Sequence, residues 1–184
     1  RNHIRNTSAL SDVLDVSASL ICSLVNPRRI ANTFGTVLGK NITVDTVSDY
    51  IRYFEEAFLL SKARRYDVKG RMYIGTPYKI YFEDMGVRNA RLNFRQIEET
   101  HIMENVIYNE LCVRGYNVDV GVVEIRECNE IGNSVRKQIE IDFVANKGSR
   151  RYYIQSAFAL PTEEKRIQEE RPLVDVPDSF KKII

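Results

Sequence analysis

One series of segments constrains the fold more than any other, because it combines a helix carrying an acid with a strand carrying an acid. Residues 100–114 are predicted as a helix that ends at Gly115. Residues 138–146 alternate apolar and polar side chains, which predicts a strand, and residues 146–149 predict a hairpin turn into a second strand over 151–160. Between the helix and these strands, residues 118–126 predict a further strand with an irregularity near 121–123, and residues 127–137 predict a polar loop. The chain as a whole is predicted to have an α/β fold (α+β overall).

The predicted helix carries two acids near its apolar face. Glu104 lies at the edge of the stripe, and Glu110 projects nearer its middle, which is unusual for an unpaired acid. On the first predicted strand, Glu140 and Asp142 share the polar face. We therefore treat Glu104 and Glu110 as candidates for a buried or metal-facing role. The apolar stripe of the helix is predicted to consist of Met103, Val106, Ile107 and Leu111.

Three helices and a hairpin are predicted before this series. Apolar residues recur at steps of three and four in residues 8–25 and again in 43–60. Between them, Asn26 and Pro27 predict the start of a short helix that ends at Gly35. Residues 62–82 predict two strands around a turn at Lys69-Gly70, with a second turn at 75–77. This order is typical of a winged helix-turn-helix, which we place in residues 1–91 with a second domain in 92–184.

Charge separates the third helix from the hairpin. The helix carries four acids, Asp45, Asp49, Glu55 and Glu56, beside the single Arg52. Phosphate repels such a face, so we do not expect it to read DNA. The hairpin is basic and interleaved with Tyr66, Tyr73 and Tyr78, which predicts contacts to backbone phosphates. The alternatives are a solvated basic hairpin or one that docks on another domain. The candidate nucleic-acid-binding residues are Lys62, Arg64, Arg65, Lys69 and Arg71.

Composition excludes several classes of protein. The net charge of +2 is too small to indicate nucleic-acid binding by itself. Two histidines exclude a His-rich metal site, and no phosphate-binding G-x-x-x-x-G-K-[ST] loop is present. The three cysteines lack C-x-x-C spacing, which is typical of a reducing cytoplasm, and no apolar run is long enough to span a membrane. The chain begins at Arg1 and stops where residues 181–184 predict a new strand, so we expect a piece of a longer protein.

Several segments together resemble the C-terminal part of a prokaryotic family of AAA+ ATPases. In that family a winged helix is followed by a domain similar to PD-(D/E)XK nucleases. The resemblance implies an ATP-binding core upstream of Arg1 and a truncated restriction-endonuclease-like domain that lacks its last strand and helix beyond Ile184. It rests on residues 46–51, 58–60, 66–70, 79–89, 103–111, 114–116, 140–145, 153–155 and 169–173.

The resemblance also implies a site for chemistry. Nucleases of this type hold Mg²⁺ with acids and polarise the attacking water with a lysine. Glu104 matches the helix acid and Asp142 the strand acid, while Gln155 and Ala157 stand where the family has Glu and Lys. The implied catalytic residues are Glu104, Asp142 and Gln155, and the implied Mg²⁺ ligands are Glu104, Asp142 and Glu140. Because an amide is a poorer Mg²⁺ ligand than a carboxylate and alanine cannot replace lysine, a degenerate site is predicted.

Three functions follow as expectations. The first is a non-catalytic module of an AAA+ ATPase that packs on the upstream ATPase domain and binds DNA or a partner protein. The second is a Mg²⁺-dependent DNA nuclease. The third is a regulatory protein-interaction module that uses the acidic third helix and Tyr152-Tyr153 as contact surfaces.

Overall fold

A computed structural model of the chain describes residues 4, 6–95, 97–128 and 134–184. Within these ranges the fold is mixed α/β, as predicted, with six helices and seven strands. No helix in the described ranges combines the length and the apolar character needed to cross a membrane. The elements are α1 (Thr7–Ser19), β1 (Leu24–Val25), α2 (Pro27–Leu38), α3 (Val44–Glu56), β2 (Leu60–Asp67), β3 (Met72–Phe82), α4 (Met85–Arg91), α5 (Glu99–Val113), β4 (Asn117–Cys128), β5 (Ser134–Lys147), β6 (Arg150–Ile154), α6 (Glu163–Val174) and β7 (Lys181–Ile183).

The described residues form two compact units. The first unit takes those within 1–63 and 76–106, and the second takes those within 64–75 and 107–184. These units are divided differently from the predicted domains, 1–91 and 92–184. The tip of the β2–β3 hairpin belongs to the second unit because residues 65–67 of β2 pair in parallel with residues 120–122 of β4.

The helices of the first unit begin where the sequence predicts. Asn6, Asn26 and Thr43 each accept a hydrogen bond from a backbone N–H in the first turn of α1, α2 and α3. Such caps satisfy N–H groups that have no partner within the helix. The starts of α2 and α3 are therefore set by local sequence.

The ends of these helices differ from the prediction. The first helix was expected to reach residue 25, but α1 ends at Ser19 because Leu24 and Val25 instead pair with β3. Helix α2 continues through Gly35 to Leu38, and Gly39 ends it with a φ of 64°. Glycine adopts this left-handed conformation without the steric cost that a Cβ brings.

The hairpin of β2 and β3 is confirmed, although one predicted turn within it is wrong. Residues 75–77 lie inside β3 rather than in a turn, and the Thr76–Pro77 bond there is cis. The hairpin turn itself falls between Asp67 and Met72, around the predicted Lys69-Gly70.

The second unit is built on a mixed run of strands in the order β2-β4-β5-β6-β7. Strands β4, β5 and β6 are antiparallel, whereas β7 is parallel to β6, with Tyr153 opposite Lys182. The irregularity predicted in β4 is present as a register shift between Asp119 and Gly121. The strand predicted at residues 181–184 is also present, as β7.

Two predicted boundaries in this unit are wrong. Residues 127–137 were expected to form a polar loop, but β4 extends to Cys128 and β5 begins at Ser134, while residues 129–133 of that loop lie outside the described ranges. The strand expected over 151–160 ends at Ile154. Gln155 and Ala157, which fall within that predicted strand, therefore lie beyond the end of β6.

The core of the second unit joins strands and helix α6, and it includes Tyr153, Val144, Ile141 and Leu173, all buried. Gly121 is required where β4 meets β5. A Cβ at this position would lie 2.9 Å from the Ile141 Cβ and 2.9 Å from the Val144 Cγ2. The backbone therefore approaches these two side chains more closely than any larger residue permits.

We expect Gly121→Ala to destabilise the protein by about 1–3 kcal/mol, because a methyl group there overfills a packed region. Gly75→Ala is the matched control. Like Gly121, Gly75 lies within a strand, in this case β3, but a Cβ there meets nothing within 4 Å. Urea denaturation of the three proteins measures the difference. Equal midpoints for the two variants would contradict the packing at Gly121.

Candidate functional site

Helix α5 buries Glu104, as predicted, and Met103, Ile107 and Leu111 of the predicted stripe are half-buried, but the buried face is rotated away from Val106. Val106, expected in the apolar stripe, is 51% exposed, whereas Glu104 and Asn105 are buried. Glu110, expected near the middle of that stripe, is exposed and forms an ion pair with Arg114. The buried face of the N-terminal half of α5 is polar, because strand β3 supplies partners for it.

Glu104 is held in a buried ion pair within the first unit. Its Oε1 accepts hydrogen bonds from Lys79 Nζ at 2.9 Å and from Tyr81 Oη at 2.7 Å. Lys79 is only 3% exposed. The charge of the carboxylate is thus compensated by a buried ammonium group, as a buried charge requires.

Asn105 completes the attachment of α5 to β3. Its Oδ1 accepts from the backbone N–H of Phe82 at 2.8 Å, and its Nδ2 donates to the carbonyl of the same residue at 2.7 Å. A single side chain thereby satisfies both backbone groups of Phe82.

Asp142 lies in β5 of the second unit and binds the chain that follows β6. Its Oδ2 accepts from the backbone N–H of Ser156 at 2.9 Å and from the Ser156 hydroxyl at 2.7 Å. The backbone N–H of Asp142 in turn donates to the Gln155 Oε1 at 3.4 Å. The structure therefore brings two of the predicted catalytic residues, Asp142 and Gln155, together.

Gln155 extends this contact to helix α6. Its Nε2 donates to the Glu169 Oε2 at 3.1 Å, and Glu169 also pairs with Lys165 one turn earlier. Sequence reasoning missed Ser156, Lys165 and Glu169. The i,i+4 spacing of Lys165 and Glu169 predicts their pairing on a helix, but nothing local marks their contact with Gln155.

The donors at these positions fit Mg²⁺ poorly. Glu104 is already paired with Lys79, and Asp142 Oδ2 already accepts two hydrogen bonds. In the described part of the chain, no three His, Cys, Asp or Glu side chains are grouped so that they could hold a metal ion. A Mg²⁺ site at Glu104, Asp142 and Glu140 stays a prediction.

Three of the five hairpin cations are engaged by other groups. In the first unit, Lys62 Nζ lies 2.7 Å from a Glu55 carboxylate oxygen. In the second, Arg65 donates to the Gln138 Oε1 at 2.8 Å, and Lys69 Nζ donates to the Glu124 carbonyl at 2.8 Å.

The remaining two cations, Arg64 and Arg71, are exposed at the tip of the hairpin. The guanidinium of Arg64 stacks 4.0 Å from the ring centroid of Tyr73, whose hydroxyl donates to the buried Asp119 at 3.0 Å. Burial raises the pKa of both Tyr73 and Asp119 above their ordinary values. The positive charge of Arg64 partly opposes this effect at Asp119. Across the described ranges, neither Arg64 nor Arg71 forms a salt bridge, and both are exposed to a ligand.

Arg71 also borders a depression of about 400 Å³ within the second unit. Two arginines that the sequence analysis did not select, Arg150 and Arg151, line the same depression with Tyr66 and Phe180. The adjacent pair of arginines directly after a predicted turn is the signal that would have found them. We name this feature the arginine pocket.

Comparison with known proteins gives a family but no described activity. The family model described as "Domain of unknown function (DUF8612)" matches residues 1–98. A Haemophilus influenzae protein described as "Uncharacterized protein" is 32% identical over all 184 residues, and the chain spans 42% of its length. No solved structure matches the chain.

We expect Lys79→Met to destabilise the protein by about 3–5 kcal/mol, because it leaves the Glu104 carboxylate buried without its cation. Replacing both partners, as in Lys79→Met with Glu104→Leu, should restore most of that loss. Thermal and urea unfolding of the single and double variants measures the coupling. If the single variant is as stable as the unaltered protein, Glu104 does not depend on Lys79.

Proposed function

The chain belongs to the family described as Domain of unknown function (DUF8612), matched over residues 1–98, and since this description names no activity, we propose a function from the geometry of the side chains. We propose that it is a non-catalytic nucleic-acid-binding module. In this proposal the tip of the β2–β3 hairpin supplies contacts to backbone phosphates.

The pairing of the hairpin cations carries the proposal. Lys62 is paired with Glu55, and Arg65 and Lys69 donate to the Gln138 amide and to the Glu124 carbonyl. Arg64 and Arg71 are exposed and form no salt bridge among the described residues, although Arg64 interacts at longer range with Asp119. A guanidinium group offers a planar set of N–H donors that matches phosphate oxygens. Two such groups on one hairpin can contact neighbouring phosphates of a nucleic-acid backbone.

The stacking of Arg64 on Tyr73 supports this role. The aromatic ring holds one face of the guanidinium, and the Tyr73 hydroxyl is itself fixed by Asp119. Because Arg64 is exposed, the N–H groups that are not bound to Tyr73 can meet a ligand, and less side-chain entropy is lost when they do.

The architecture supports a nuclease-like ancestry for the second half. Elements α5, β4, β5, β6, α6 and β7 follow one another as a helix, three antiparallel strands, a helix and a parallel strand. In the same proposal, α1–α3 and the β2–β3 hairpin form a winged helix. An AAA+ ATPase parent that binds ATP, and a partner protein, are proposed from the sequence resemblance.

We predict that the chain binds DNA with an affinity that falls as salt rises. Replacing both Arg64 and Arg71 with Ala should weaken binding and reduce the slope of log K against log salt by about 2, since each lost phosphate contact lowers it by about 1. Fluorescence anisotropy with a labelled duplex over a salt series measures both quantities.

The control removes the same charge from paired positions. Lys62 pairs with Glu55 and the exposed Arg166 pairs with Glu170, so Lys62→Ala with Arg166→Ala should leave the slope unchanged. A similar loss in both double variants would mean that net charge, rather than the hairpin tip, governs binding, and this would refute the proposal.

We also predict that the protein does not cleave DNA in the presence of Mg²⁺ or Mn²⁺. Ala157 cannot polarise water, and Asp142 is bound to Ser156. Incubation of supercoiled plasmid with the protein and with Asp142→Ala tests this on a gel. Cleavage by the unaltered protein that disappears in Asp142→Ala would establish the alternative, a metal-dependent nuclease.

A further inference from the structure

The arginine pocket carries an excess of positive charge. Arg71, Arg150 and Arg151 line it, and the acid that lines it is Asp178. The buried Asp119 also interacts with Arg151, and with Arg64, whose positive charges oppose the effect of burial on its pKa. Arg64 and Arg151 together balance Asp119 and Asp178, so Arg71 and Arg150 leave an excess of two positive charges. Arg71 and Arg150 form no ion pair with any residue in the described ranges, so this excess is not neutralised by the chain.

Two of the four charged groups that line the pocket are fixed in place. Arg151 Nε donates to the Asn146 Oδ1 at 2.7 Å, and its guanidinium lies 5.2 Å from the Tyr66 ring centroid and 5.6 Å from that of Phe180. Asp178 accepts from the Tyr153 hydroxyl at 2.6 Å and from the backbone N–H of Phe180 at 3.1 Å. The pocket thus has a preformed wall, with Arg71 and Arg150 as exposed arms beside it.

The charge indicates a phosphomonoester. A phosphate monoester carries about −1.5 to −2 charge near pH 7, which balances the excess of the pocket. An internal phosphodiester carries a single negative charge and would leave the pocket partly uncompensated.

The size and lining indicate a nucleotide. The pocket, at about 400 Å³, lies in the range of small-ligand sites. Tyr66 and Phe180 are aromatic surfaces beside the arginines, and bases stack on such rings and on guanidinium planes. A phosphorylated peptide side chain would use the arginines but would gain less from the aromatic lining.

We infer that the arginine pocket binds the phosphomonoester of a nucleotide, with Arg71 and Arg150 closing on the phosphate. On the proposed function, on which this part of the inference rests, that nucleotide is the phosphorylated end of a nucleic-acid strand. The hairpin tip then contacts the strand, and the pocket recognises where it ends.

Two measurements test the inference. The first compares single-stranded oligonucleotides of one sequence that carry a 5′-phosphate, a 3′-phosphate or no terminal phosphate, by fluorescence anisotropy. We expect one phosphorylated form to bind about tenfold more tightly than the unphosphorylated one, as a charge-assisted contact warrants. Arg150→Ala should reduce this ratio to about one. Arg166→Ala, which removes a paired arginine of α6 outside the pocket, should retain it.

The second measurement is isothermal titration calorimetry with thymidine monophosphate, thymidine and a phosphotyrosine peptide. We expect binding of the monophosphate, lost in Arg150→Ala, and none of thymidine. Equal affinity for the three oligonucleotides together with no binding of the monophosphate overturns the inference, while salt-dependent DNA binding through Arg64 would still support the proposed function. Monophosphate binding without oligonucleotide binding supports the pocket and refutes the proposed function. Tighter binding of the phosphotyrosine peptide than of the monophosphate overturns the assignment to a nucleotide.

Discussion

The buried contact between α5 and β3 is the interaction on which the first unit depends. Polar groups removed from water need partners, and here Lys79 and Tyr81 serve Glu104 while Asn105 serves the backbone of Phe82. These contacts tie the N-terminal half of α5 to a strand that precedes it by more than a dozen residues. They explain why residues expected to open a second domain instead belong to the first unit.

Local signals in the sequence predicted the elements but not their partners. Asn26 and Thr43 cap their helices, and the alternation in β5 is visible in the chain, because each depends on residues only a few positions apart. The burial of Glu104 depends on Lys79, and the end of β6 coincides with the contact between Ser156 and Asp142. Periodicity within a segment does not identify such distant partners, so the predicted stripe of α5 included the exposed Val106 and left out the buried Asn105.

In the candidate site, too, the sequence predicted which residues are present but not which of them have partners. The sequence identified a basic hairpin, but it could not distinguish Lys62, which is paired with Glu55, from Arg71, which has no acid partner in the described ranges. Resemblance to a nuclease placed Asp142 and Gln155 near each other, and they are in contact. The same resemblance did not indicate a role for Arg150 and Arg151. Cations after a turn can be assigned to a pocket only when the residues on its opposite wall are known.

The stacked position of Arg151 limits which substitutions suit this place in the chain. Its guanidinium lies against both Tyr66 and Phe180, and its Nε is bound to Asn146. Lysine would keep the charge but lose the planar stacking and the directed N–H, so the exchange is not conservative at this position. If either aromatic ring is lost, arginine has less advantage over lysine at position 151. Positions 66, 151 and 180 are therefore expected to change together rather than one at a time.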